Sequence, residues 1–281
     1  MKIAIGVEYL GTPFSGWQFQ GHEKNTIQYY LQQALGFVAN EDILIHASGR
    51  TDAGVNAMEQ VCHFDTDVIR SDFSWRQGAN TKLPKEIRIK WAQEAHEDFH
   101  SRYMALYRDY IYIIEQTPVV SALWRDQATP WRKPLNVAAM AEGVKHLIGE
   151  HDFSAYRAAG CQAKHPVRRL MEADVWQKGP FIGVAIRGNA FLHHMVRNIV
   201  GSLLVVGEGQ KQSIWMKELL DGKDRNKAGA TAPPQGLYLR TTHYAKRFNI
   251  PTTGSTPFVL FDDKIETWPK AYPDLDFGDR L

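Results

Sequence analysis

Residues 47–64 read ASGRTDAGVNAMEQVCHF and set Arg50 and Asp52 two positions apart in a loop bounded by Gly49 and Gly54. On either side, EDILIHAS and EQVCHFDT read as strands, so the charged pair sits in a connection between two extended runs. An Asp beside Gly is commonly a turn residue that bonds its own backbone. A loop longer than a hairpin needs, carried on two rigid strands, is also a common place for function. A cation two residues away would favour the ionised carboxylate that a nucleophile requires.

Outward from this loop the pattern of elements is regular. KIAIGVEYL alternates as a half-buried strand should, and the turn-rich GTPFSGWQFQG follows it. Ile27, Tyr30, Leu31, Ala34, Leu35 and Val38 recur at helical spacing behind a cap at Asn25 or Thr26. Ile43 and Ile45 mark a strand before the loop, and Val61 to Phe64 mark one after it. SDFSWRQGAN reads as a short helix capped by Ser71, and IRIKWAQEA returns to alternation. The first hundred residues therefore predict β-α-β-β-α-β.

The remainder repeats the order. RDYIYIIEQ is a strand, NVAAMAEGVKHLIG a helix capped by Asn136 and stopped at Gly149, and VRRLMEADVWQ with PFIGVAIRG a hairpin about Lys178 and Gly179. NAFLHHMVRNIVGSLLVVG predicts a long helix, SIWMKELLDG an inserted one, and QGLYLRTTHY the last strand. The expected fold class is α+β, with two ferredoxin-like or RRM-like βαββαβ halves whose mostly antiparallel sheets meet at a central cleft. The expected division is 1–106 for the half carrying the Asp loop, 107–246 for the second half, and 247–281 for a C-terminal extension. With Pro251, Pro257, Pro269 and Pro273, that extension reads as poorly structured or surface-wrapping.

Composition excludes some classes of function. The chain has 281 residues, 44% of them hydrophobic, which is enough for a core of one large or two small domains. With 33 Lys and Arg against 31 Asp and Glu, nucleic-acid binding has to rest on local clustering. Cys62 and Cys161 lack zinc or disulfide spacing, which fits a reducing cytoplasm. No segment approaches the roughly 20 apolar residues of a membrane span, and no export signal opens the chain.

The string GRTDAGVNAMEQVCHF resembles the signature of the tRNA pseudouridine synthase A family, which converts uridine to pseudouridine in the anticodon arm. EYLGTPFSGWQFQ, DFHSRYMALYRDYIYII, GEHDFSAYRA, NAFLHHMVRNIVGSLLVVG and AGATAPPQGLYL resemble that family's successive blocks in the same order, over roughly residues 3 to 245. The resemblance implies that Asp52 is the catalytic aspartate and that Arg50 holds the flipped-out target nucleotide and contacts its backbone. It further implies that Tyr110 stacks on the uracil, Arg197 pairs with the aspartate and Leu237 lines the pocket. Two positions depart from the pattern: Asn56, where the family commonly has His, and Leu10, where Asp is commoner.

The same resemblance implies tRNA as partner, a homodimer, targets at positions 38 to 40, and a reaction needing neither cofactor nor metal. Basic candidates for RNA contact are Arg102 and Arg108 beside the tyrosine strand, Lys164, His165, Arg168 and Arg169 of KHPVRR, and Arg187. The tryptophans read as core or interface anchors. His193 and His194, expected on the long helix, would point about 100° apart and so make a poor metal pair. An apolar stripe on Leu203, Leu204 and Val205 would suit a subunit interface if exposed. Two other functions fit parts of the sequence. One is a non-catalytic RNA-binding protein built from RRM-like halves; the other is a metal-dependent hydrolase using Asp52, His63, Asp65 and Asp67.

Overall fold

A computed structural model of the chain describes residues 1–253 together with 268 and 269. The described chain divides into two compact units. One is Met1–Tyr107 with residues 239–253 and 268–269; the other is Arg108–Tyr238. The architecture is α+β, and its strands are mostly antiparallel.

In the first unit the chain runs β1 (Lys2–Tyr9), α1 (Ile27–Ala39), β2 (His46–Ala47), β3 (Asn56–Asp65), α2 (Asp72–Asn80) and β4 (Ile87–Ala95). The sheet order is β4-β1-β3-β10, with β2 added on β3 and β10 spanning Leu237–Tyr244. Thr26 and not Asn25 caps α1, its side chain accepting from the Tyr29 N–H, and Ser71 caps α2 in the same way. Ile43 and Ile45 are buried but lie outside the strand, which is only His46–Ala47. Burial of apolar side chains, which drove that expectation, does not itself require ladder pairing.

Strand β1 is buried on both faces, not on one as its alternation suggested. Ile3, Ala4, Ile5 and Val7 are all at 1% exposure or less. The second face is covered from far along the chain, by a cluster joining Ala4, Val61, Phe99 and Phe248. Residues 246–253 thus lie on this unit, and Thr253 donates its N–H to the buried Glu59 carboxylate at 2.9 Å. Glu59 also accepts from Trp91 Nε1 and Thr241 Oγ1, so the buried acid is satisfied by several donors. Most of the expected extension, including Pro257 and Pro273, lies outside the described residues.

His63, on β3, is buried with its Nδ1 accepting from the Ser101 N–H at 3.3 Å. Desolvation, then the neighbouring His100, lowers its pKa from 6.5 to about 3. Between those two values the unfolded chain binds a proton that the folded chain does not. The contribution to stability is therefore complete above about pH 6.5 and is lost as the pH falls toward 3, by at most about 1.4 kcal/mol per unit. His63→Gln should flatten the fall of Tm between pH 6.5 and 4.5; an unchanged slope in thermal melts would contradict this assignment.

In the second unit β5 (Ala105–Gln116) leads to β6 (Thr129–Trp131), α3 (Val137–Lys145), β7 (Gly149–Asp152), β8 (Val167–Lys178), β9 (Phe181–Gly188), α4 (Met195–Gly207) and α5 (Trp215–Gly222). The sheet order is β5-β9-β8-β7, with β6 parallel to β5. The hairpin falls where expected, Lys178 pairing with Phe181 around Gly179 at φ 59°. Asn136 caps α3, which ends at Lys145, short of Gly149.

Two expectations about α4 need correction. The helix has 13 residues and starts at Met195, because His194 takes φ 58° and breaks the helical run. His193 and His194 therefore precede it, and their rings lie 3.9 Å apart, so the argument from adjacent helical positions does not apply to them. Leu203 and Leu204 are buried within the chain and Val205 is only half-exposed, so they form no outward stripe. Of the tryptophans, Trp17, Trp75 and Trp176 are buried and the remainder described are half-buried.

Candidate active site

The GRTD loop is held by the glycine-rich segment that follows β1. Asp52 opens a β-turn in which its carbonyl accepts from the Val55 N–H, and Gly54 supplies the positive φ of 77° that the turn requires. The simple turn reading is thus correct for the backbone, and the Asp52 side chain is half-buried. Thr51, beside it, is clamped twice. Its carbonyl accepts from the Trp17 N–H at 3.0 Å, and its hydroxyl lies 2.8 Å from the Tyr9 hydroxyl.

Gly16 crosses so near this loop that a Cβ would meet Thr51 O at 3.0 Å, and at Gly11 it would meet Val55 O at 1.9 Å. Asn56, buried at the start of β3, accepts the Gly11 N–H through Oδ1 at 2.7 Å. An imidazole nitrogen can accept the same bond, which gives the Asn for His departure a physical meaning. Arg50 stays exposed. A charge there is screened by solvent.

The second unit positions the remaining residues through the segment Ala232–Leu237. Ala232 O accepts from Arg197 Nε at 2.8 Å, Pro233 O from the Tyr112 hydroxyl at 2.8 Å, and Gly236 O from the Ile113 N–H. One stretch of backbone therefore ties α4 to β5, and Leu237, 5% exposed, closes it. Tyr110 is 9% exposed, with its ring edge-on to Phe191 at 4.8 Å. Burial pushes the phenol of Tyr112 well above its usual range, so it remains a neutral hydrogen-bonding group. Gly201 allows α4 to approach this segment, since a Cβ there would strike Ala230 O at 1.7 Å.

The basic candidates separate into distinct environments. Arg102, Lys164 and His165 are exposed, whereas Arg108, Arg168 and Arg169 are half-buried. Arg108 donates to Asn189 O, and Arg168 donates to the His165 and Val167 carbonyls. Arg187 is not the surface phosphate contact expected of it. It is 3% exposed and makes a bidentate pair with Asp109, at 2.6 and 2.7 Å, directly across β5 and β9.

The hydrolase constellation fails on distance. Asp52 precedes and Asp65 ends the ten-residue β3, whose length is about 30 Å. Asp65 and Asp67 are exposed, and Asp65 pairs with Lys2 at 3.1 Å. The RRM-like reading also fails, because it needs a second open ring beside Tyr110, and Tyr107 and Tyr112 on the same strand are 3% and 0% exposed.

A family profile described as tRNA pseudouridine synthase matches residues 5–104 and 144–245, the segments that carry both clamped loops. The chain belongs to the tRNA pseudouridine synthase family. It is 47% identical over 249 residues to tRNA pseudouridine synthase A of Hydrogenovibrio crunogenus, covering 89% of this chain and 95% of that protein. It is 48% identical over 250 residues to the protein of the same name from Methylococcus capsulatus, covering 89% and 92%. For that of Shewanella woodyi the identity is 44%, covering 93% of this chain and 100% of the relative. Among the described residues, no helix is long and apolar enough to cross a membrane.

Sequence reading missed the braces. Tyr9, Gly11, Gly16, Thr51, Tyr112 and Ala232 hold the named residues in place, and only the glycine density of residues 11–21 marked any of them beforehand.

Proposed function

We propose that this protein converts uridine to pseudouridine at positions 38, 39 and 40 of the tRNA anticodon arm. Asp52 is the catalytic carboxylate, and Arg50, Tyr110, Arg197 and Leu237 hold the extruded nucleotide. As a member of the tRNA pseudouridine synthase family, the chain is an isomerase acting on uridine in tRNA. The observation that supports the role of Asp52 is the GRTD turn, whose backbone is fixed at residue 52 by the Val55 N–H and at Thr51 by Trp17 and Tyr9.

The reaction breaks the N1–C1′ bond, turns the base and joins C1′ to C5. The C5 proton leaves and N1 gains one, so no electrons are exchanged with an outside partner. A carboxylate serves whether it attacks C1′, adds to the uracil ring or removes a ribose proton, and each route needs it ionised. Arg197, its Nε fixed by Ala232 O, keeps its remaining N–H groups in a set direction for that purpose. Leu237 helps to exclude water that would capture a sugar intermediate. Extracting a stacked uridine costs a few kcal/mol, which phosphate contacts from Arg102, Arg108, Lys164, Arg168 and Arg169 offset.

Residues 1–106 contain Asp52, and residues 107–246 contain Tyr110 and Arg197. The enzyme works in the cytoplasm as a homodimer, a reading that rests on the family, since Leu203 and Leu204 are buried within the chain. Light scattering at the mass of one chain would count against the dimer. The activity is tested by tritium release from C5-labelled uridine in tRNA, where release is expected and its absence would refute the function. Tyr110→Phe should keep tRNA affinity and slow turnover by about 10- to 100-fold, because the ring remains and the hydroxyl near the departing C5 proton is lost. Equal single-turnover rates would show that the hydroxyl takes no part.

A further inference from the structure

Outside the loops assigned to the reaction, the first unit carries an exposed aromatic on a rigid base. Tyr103 is 73% exposed, and its ring lies on His100 with centroids 4.3 Å apart and an interplanar angle of 32°. His100 in turn meets His63 at 4.5 Å, and His63 stacks on His46 at 5.1 Å and 26°. The imidazoles are oriented by backbone. Nδ1 of His100 accepts from the N–H groups of Arg102 and Tyr103 at 3.1 and 3.3 Å, and Nδ1 of His63 accepts from Ser101 N–H.

These ring contacts restrain the tyrosine before any partner arrives, so less side-chain entropy remains to be lost on binding. Arg102 completes the surface, its guanidinium 5.8 Å from the centre of the Tyr103 ring. A flat, exposed phenol ring beside an exposed cation matches one nucleotide, the base on the ring and the phosphate on the guanidinium. The exposed phenylalanines of this unit, Phe37 and Phe73, have no imidazole against their rings among the described ring contacts.

We propose that Tyr103 and Arg102 form a stacking platform for an unpaired nucleotide of the RNA substrate, separate from the nucleotide that is isomerised. The nucleotide is unpaired because a base inside a helix has both faces covered. His46 begins the strand that leads through Ser48 into the GRTD loop, so its Cα lies within about 20 Å of that of Asp52. One RNA arm can therefore reach both places. Recognition on the platform is by shape and charge and favours no particular base. The proposal rests on tRNA being the substrate and extends that reading to a second contact.

The test is the Kd of the whole protein for unmodified tRNA, measured by filter binding for wild type, Tyr103→Ala, Tyr103→Leu and Tyr103→Phe. Loss of one stacked base predicts weakening by about 5- to 100-fold in Ala and Leu, while Phe binds within about twofold of wild type. Arg102→Gln should reduce the slope of log Kd against log salt by about one. Wild-type affinity in Tyr103→Ala, or recovery by Leu as a packing role would give, overturns the platform. Tritium release separates the two claims: release by wild type with a Kd indifferent to Tyr103 sinks the platform alone. A Tyr103-dependent Kd without any release would leave the platform standing and sink the isomerase reading.

Discussion

Asp52→Asn should lower pseudouridine formation by about 10⁴-fold or more while leaving the affinity for tRNA within a few-fold of wild type. Asn has nearly the shape of Asp, and the turn that holds residue 52 is made by backbone groups, the Asp52 carbonyl and the Val55 N–H, which the substitution leaves alone. Only the charge and one carboxylate oxygen are removed, and loss of a single group that carries the chemistry has effects of this size in other enzymes. Single-turnover tritium release with enzyme in excess reads the chemical step without interference from product release. A rate within tenfold of wild type would show that the carboxylate does not carry the reaction. Gross loss of tRNA binding would instead assign Asp52 to holding the substrate.

Asp109→Ala should reduce stability by about 3–5 kcal/mol and lower the Tm by on the order of 10 °C. Asp109 and Arg187 are 1% and 4% exposed at their side chains and face each other across β5 and β9. Removing the carboxylate leaves a guanidinium buried against its requirement for a partner. Because Asp109 precedes Tyr110 on β5, activity should fall along with stability. Replacing both members, as Asp109→Leu with Arg187→Met, should recover most of the lost stability, since an apolar pair carries no uncompensated charge. A Tm for Asp109→Ala within 2 °C of wild type in thermal unfolding would show that the pair is energetically neutral.

The order of elements was legible because strand alternation, caps and turns are local. Thr26, Ser71 and Asn136 each occupy a cap as their residue types predict, and Gly179 turns the β8–β9 hairpin. What stayed hidden depended on distant parts of the chain. Strand β1 reads as half-buried until Phe99 and Phe248 arrive on its other face. Arg187 reads as a surface cation until Asp109 is placed across from it, and His194 reads as helical until its φ of 58° is known.

For the site, the motif pointed to Asp52 as a candidate and not to the means of holding its loop. Tyr9 and Trp17 reach Thr51 across intervals of 42 and 34 residues, and nothing in a local window reports such contacts. Likewise Arg197 was legible as a cation of α4, whereas its anchoring to Ala232, 35 residues on, came only from the fold.

The central claim, that this chain makes pseudouridine in the anticodon arm through Asp52, is tested most directly by mapping the product. Unmodified tRNA is incubated with wild type or with Asp52→Asn, treated with carbodiimide and read by reverse transcription. Wild type should produce new stops reporting positions 38 to 40 wherever a uridine stands there, and Asp52→Asn should produce none. Stops from both proteins, or from neither, would contradict the account.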